Sequence, residues 1–243
     1  MIKGLDDFVE LEPISHKYHD KNGREYLSVS KLLTLFKPVF DRENISRAVA
    51  KKRGVSQAII LAEWDKTKDD SIDHGNQIHN ALERYEKSTI ILPEDEHLRP
   101  MIISVAKEYS HYYKNHLEQV LYNEEFGIAG TTDRLSEQTS HKTSIVDFSD
   151  YKTNKSKGIQ FKNDYGKYML GPLSHLQDCN YNHYALQLSV YAWMFQQKTG
   201  RNIGSLHLRF FPPHNLLGHY PIPVPYMKHE VEAILKYKML NNL

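Results

Sequence analysis

HKYHDKNGREYLSV, at residues 16–29, is divided by Asn22-Gly23. That pair accepts the positive φ angles of a tight turn, so the segment predicts a β-hairpin. SVSKLLTLF follows as the start of a helix, with Ser28 or Ser30 as its N-cap. From about 41 to 118 apolar residues recur at steps of three and four, as at Ile78, Leu82 and Tyr85, which is the helical period. Pro93 and Pro100 punctuate this stretch by starting helices or ending loops. At about 119 the pattern changes: QVLYNEEFGIAGTTDRLSE and KTSIVDFSDYK read as strands joined by a polar turn at 137–142. Residues 153–182 are rich in Lys, Tyr, Asn and Gly and read as a long loop, of a length that compact domains rarely carry without a use. YALQLSVYAWMFQQKTG, at 184–200, is a strongly apolar helix closed by Gly200. GSLHLRFFPP at 204–213 is a further strand, and MKHEVEAILKYKML is a closing amphipathic helix.

This order predicts an α/β fold: a short mixed β-sheet flanked by helices, with an N-terminal hairpin and helical region over 1–118 and an α/β core over 119–243. The 243 residues, 40% apolar and 25% charged, suit one domain. A net charge of +1 excludes a uniformly basic DNA-coating protein, so a polyanion must be met by local patches. The lone cysteine, Cys179, excludes an intramolecular disulfide and a cysteine-ligated zinc or iron–sulfur site. No apolar run nears the roughly 18 residues of a membrane span. MIKGLDDFVELEP is acidic and lacks a signal-peptide core, so the expectation is a soluble cytoplasmic protein. Neither G-x-x-x-x-G-K-[ST] nor G-x-S-x-G occurs, which argues against a P-loop motor and a serine-hydrolase elbow.

Candidate chemistry gathers at IVDFSDYKTNK, residues 145–155. Side chains alternate along a strand, so Asp150 and Lys152 share a face while Tyr151 points away. Asp147 falls on the opposite face unless a bulge at Phe148-Ser149 turns it. With Asp133 of GTTDRL on a neighbouring strand, two carboxylates and an ammonium converge. Paired carboxylates repel unless a cation neutralises them, so a divalent ion and metal-assisted phosphodiester hydrolysis fit. A D-x-K alone is more commonly a surface salt bridge; the apolar lead-in and the preceding G-x-x-D set this one apart. In HGNQIHNALERY, His79 and Glu83 share a helix face, either as a polar surface pair or with His79 completing the carboxylate site. Gln187 and Tyr191, also four apart, lie on the apolar helix, where a glutamine amide needs a partner. That partner is a catalytic side chain, a phosphate or a backbone carbonyl. Lys51-Lys52-Arg53 and Lys155, Lys157, Lys162 and Lys167 either meet phosphates or form solvated faces. Tyr165, Tyr168, Tyr181 and Tyr184 either stack unpaired bases or pack.

Four motifs stand in a fixed order: G-x-x-x-H (Gly75, His79), G-x-x-D (Gly130, Asp133), an apolar run into D-Y-K-T (Asp150–Thr153), and Q-L-x-x-Y (Gln187, Leu188, Tyr191). Together they resemble the PD-(D/E)xK nuclease superfamily, and within it the RecB-like branch of phage and mitochondrial genome maintenance exonucleases, over about residues 16–240. The resemblance implies a restriction-endonuclease-like core and a Mg²⁺- or Mn²⁺-dependent exonuclease acting on DNA ends or single strands in phage or bacterial recombination and repair. A separate helicase or single-strand annealing protein is an implied partner. It also implies that His79, Asp133, Asp150 and the Tyr151 carbonyl ligate the metal, and that Lys152 is the catalytic lysine. Gln187 and Tyr191 would support the site or touch DNA, with Lys155 and Lys157 beside them. The family's further glutamate, shortly before G-x-x-D, falls to Glu124 or Glu125. A structure-specific or restriction-type endonuclease and a non-catalytic DNA-binding module are the alternatives.

Overall fold

In the computed structural model, which describes residues 5–109, 113–138, 145–153, 158–212 and 219–243, β1 (Val9–Glu12), β2 (Lys17–Asp20) and β3 (Glu25–Ser28) form an antiparallel meander. Gly23, at φ 82°, makes the expected turn between β2 and β3, and Asp20 Oδ1 accepts the amides of Asn22 and Arg24 at 2.8 and 2.9 Å. Ser28 is the N-cap of α1 (Val29–Thr34) and accepts the Lys31 amide at 3.2 Å. α2 (Arg42–Arg53) and α3 (Gln57–Ser88) follow, joined at a left-handed Gly54. With 32 residues, α3 is about 48 Å long. Pro93 begins a 3-10 turn that leads into α4 (Arg99–Tyr109).

Strand structure begins earlier than the sequence pattern suggests. β4 (Tyr113–Asn123) takes in six residues read above as helical, and the run at 119–137 is two strands, because the chain reverses at 124–127 into β5 (Ile128–Gln138). Asn123 Oδ1 accepts the Phe126 amide at 3.0 Å, and Gly127 takes φ 58°, which together make the reversal. Pairing with β5 decides the conformation of 113–118, where Leu117 and Leu121 fit either period.

The chain continues through β6 (Ile145–Lys152), α5 (Asn180–Thr199), β7 (Asn202–Phe210), β8 (Tyr220–Val224) and α6 (Lys228–Leu240). The result is an open eight-stranded mixed sheet flanked by helices, in keeping with a restriction-endonuclease-like α/β core. Strand β8 lies beyond the strands expected from the sequence; its Pro221 and Pro223 are accommodated at the sheet's edge. Among the described residues no helix is long and apolar enough to cross a membrane.

One topological detail positions the site. β4 occupies one edge of β5 along its length. On the other edge β5 pairs first with β3 in parallel, at Ile128 and Ala129, and then with β6 in antiparallel, from Arg134 to Glu137. Gly130–Asp133 lie in the gap between these two partners. One sheet face packs on α5, where Phe148 meets Phe195 edge to face at 5.6 Å. The other packs on α3 and α4, where Tyr151 and Phe211 meet Ile78, Leu82, Met101 and Val105.

Candidate active site

β5 and β6 part after the pair Arg134–Ser149, which leaves Asp133 and Asp150, the next residue of each strand, just beyond the ladder. Asp133 Oδ2 accepts the Tyr151 amide at 2.5 Å, so a side chain takes a backbone donor that the ladder no longer serves. Asp150 shares the α5 face with Phe148, and the next inward residue, Lys152, forms an ion pair with it. Lys152 Nζ also donates to Gln187 Oε1 at 3.4 Å and lies 4.7 Å from the Tyr184 ring centroid. Strand parity therefore holds for Asp150, Lys152 and Tyr151.

Asp147 has a different task. The irregularity lies between Val146 and Phe148 rather than at Phe148-Ser149, and the extra residue is on β7. There Asp147 Oδ1 accepts the Ser205 amide at 2.7 Å, in space left by the missing side chain of Gly204. It is turned to the β7 backbone, away from Asp150 and Lys152.

His79 reaches the strand ends from α3. Its Nε2 is 3.3 Å from the Tyr151 carbonyl oxygen, and its Nδ1 is 3.7 Å from Asp133 Oδ1. Gly75, one turn earlier, allows the approach, since a Cβ there would stand 3.3 Å from Thr153 Oγ1. Glu118 of β4 lies opposite Asp133 on the other edge of β5, in a left-handed backbone at φ 47° that non-glycine residues rarely adopt. His79, Glu118 and Asp133 each bring a donor atom to within 4.8 Å of the others. Glu118, then, is the glutamate that joins His79 and Asp133 in this group. Glu124 and Glu125 sit in the β4–β5 turn, where the Glu124 carbonyl accepts from Arg24, and Glu83 pairs with Lys87. Asp150 is outside the three-residue group, its carboxylate engaged by Lys152.

Gln187 and Tyr191 close the gap on β5. Gln187 Nε2 donates to the Tyr191 hydroxyl at 3.1 Å and to Ser30 Oγ at 3.4 Å, so the partners of its part-buried amide are side chains rather than a backbone carbonyl. A Cβ on Gly130 would come within 2.5 Å of Tyr191 Cε1 and 3.0 Å of Val29 Cγ2. The glycine of G-x-x-D is thus the floor on which Tyr191 packs. Lys155 and Lys157 lie outside the described residues; Lys162 and Lys167 are on the exposed loop.

The electrostatics are those of crowded carboxylates. Burial, then the charges of Asp133, Glu83 and Asp150, push Glu118 up to about 8. Burial and Asp150 raise Asp133 more than His79 and Lys152 lower it. Burial alone would lower the Lys152 ammonium, but Asp150 and Asp133 outweigh it and hold the group above its ordinary value. Burial and the same two aspartates keep the Tyr191 hydroxyl well above its usual range. One imidazole nitrogen, carboxylate oxygens and a backbone carbonyl are a mainly hard donor set, which suits Mg²⁺ or Mn²⁺, and a cation would relieve the repulsion.

No family model matches this chain. No curated protein matches it either. Among solved structures, a Eubacterium rectale protein named "Putative exonuclease" is similar over 85% of this chain and 68% of its own, with 14% identity and a TM-score of 0.35. A second, named SSO0001, is similar over 67% of this chain and 70% of its own, with 17% identity and a TM-score of 0.28. Likenesses this low carry no argument about activity.

Proposed function

We propose that the protein is a divalent-metal-dependent nuclease that hydrolyses DNA phosphodiester bonds at ends or in single strands. The observation that carries this reading is the meeting of His79, Glu118 and Asp133 with the Asp150–Lys152 pair where β5 and β6 part. His79, Glu118, Asp133, Asp150 and the Tyr151 carbonyl are the groups that would hold Mg²⁺ or Mn²⁺. Such an ion supplies Lewis acidity toward a phosphoryl oxygen and a more acidic water.

The chain's own residues do the remainder. Lys152, kept charged by two carboxylates, is not a proton acceptor; its ammonium orients the attacking water and offsets charge gathering on the phosphoryl oxygens. Gln187 fixes the ammonium in place through its Oε1 and is itself held by Tyr191 and Ser30. The exonuclease direction rests on the four ordered motifs and their resemblance to RecB-like exonucleases.

The test incubates end-labelled linear, circular and single-stranded DNA with Mg²⁺ or Mn²⁺. Loss of linear but not circular DNA is expected, with Asp150→Ala and Lys152→Ala inactive. Cutting of circles would replace the exonuclease with an endonuclease, and no cleavage with either metal would leave a binding module.

A further inference from the structure

The face of the sheet turned away from Lys152 carries two buried arginines, Arg134 at 0% and Arg209 at 5% exposure. Arg134 follows Asp133 in β5 and so points to the opposite face, toward α3. There its guanidinium forms an ion pair with Glu86, and its Nε donates to the Tyr151 hydroxyl at 2.9 Å. Glu86 is seven residues beyond His79, two turns along the same face of α3. Tyr151 completes the circuit: its ring stands edge-on to His79 at 5.4 Å, its amide donates to Asp133 and its carbonyl faces His79 Nε2. A parallel arrangement ties the next helix, where Arg209 of β7, paired with Tyr151 in register, meets Glu108 of α4 at 2.7 Å.

Stability alone is a poor reason for such a pair. Replacing a buried ion pair with apolar residues of similar size is often neutral or stabilising, and Ile78 and Leu82 already hold α3 on the sheet. Apolar contact, however, has no direction and lets a helix slide or turn by fractions of an ångström. A guanidinium with donors in fixed planar positions has direction. Here the guanidinium pairs by charge with Glu86 on α3 and directs its Nε–H at the Tyr151 hydroxyl on β6, from a backbone position adjacent to Asp133.

We propose that Glu86, Arg134 and the Tyr151 hydroxyl are positioning residues that set where His79 stands relative to Asp133 and Glu118, and thereby the affinity of the site for its divalent ion. The inference rests on the metal reading above and adds the control of His79 from behind the sheet.

The experiment is calorimetric titration of Mn²⁺ into the full-length protein, paired with thermal unfolding of the metal-free form. Four variants are compared with the parent: Tyr151→Phe, Arg134→Lys, Glu86→Gln, and the double change Glu86→Met with Arg134→Met. The double change is expected to keep the metal-free melting temperature within a few degrees while weakening Mn²⁺ about 10-fold or more, the usual scale for groups behind metal ligands. Arg134→Lys keeps the charge but not the fork, and should weaken Mn²⁺ as well. Tyr151→Phe loses only the hydroxyl, so its lower affinity would be read in a folded protein even if the double variant misfolds. Parental Mn²⁺ affinity in folded Tyr151→Phe and Arg134→Lys overturns the proposal, as does a fall in melting temperature with affinity unchanged. A parent that binds no Mn²⁺ defeats the metal reading itself, an outcome visible before any variant is made.

Discussion

Glu118 carries three signs of an unusual position: a left-handed backbone inside a strand, a place beside two aspartates, and a carboxyl pushed up to about 8. Between its ordinary 4.5 and about 8 the folded state keeps a proton that the unfolded chain has released. Stability of the metal-free protein therefore falls as pH rises through that window, and the raised Asp133 adds to the slope at its acid end. Chemical denaturation at several pH values should show the fall, and Glu118→Gln should flatten it. Mn²⁺ should stabilise the parent more at pH 8 than at pH 5.5, because binding needs the deprotonated carboxylates. At Gly130 a Cβ would press on Tyr191 at 2.5 Å. Gly130→Ala should lose about 1–3 kcal/mol in urea unfolding, the scale of overpacking, and slow DNA hydrolysis by displacing Tyr191 and Gln187.

At the scale of elements, the β6–β7 irregularity separates two aspartates that look equivalent in the sequence. Asp147→Ala removes the acceptor of the exposed Ser205 amide and should cost about 0.5–1.5 kcal/mol, with hydrolysis retained. Asp150→Ala should abolish hydrolysis, and it also costs stability because it takes the carboxylate partner from the buried Lys152 ammonium. Elements set by local chemistry were legible in the sequence: the Asn22-Gly23 turn, the Ser28 cap, the closure of α5 at Gly200, and the shared face of Asp150 and Lys152. What pairing decides was not. The start of β4 at Tyr113 and the reversal at 124–127 depend on β5, and without that reversal no count along the chain places Glu118 opposite Asp133. The edge strand β8 was hidden for a like reason, since its prolines are acceptable only where one side of the strand lacks a partner.

At the scale of the whole molecule, the site exists because one long strand changes partners. β5 leaves β3 after Ala129 and joins β6 at Arg134, and the side chains in the interval are met from α5 by Tyr191 and, at Asp133, from α3 by His79. Carboxylates from β4, β5 and β6 are brought together, Asp150 paired with Lys152 and the other two raised by burial and by neighbouring negative charge, which is the reason to expect metal dependence. Metal-dependent hydrolysis is tested by the release of acid-soluble nucleotides from linear DNA by the parent and by Lys152→Ala, with Mn²⁺ and with excess chelator. Hydrolysis by the parent with Mn²⁺ is expected, none with chelator, and a rate at least about 100-fold lower for Lys152→Ala with Mn²⁺ binding retained. Hydrolysis that survives the chelator, or a Lys152→Ala protein as active as the parent, would contradict this reading of the site.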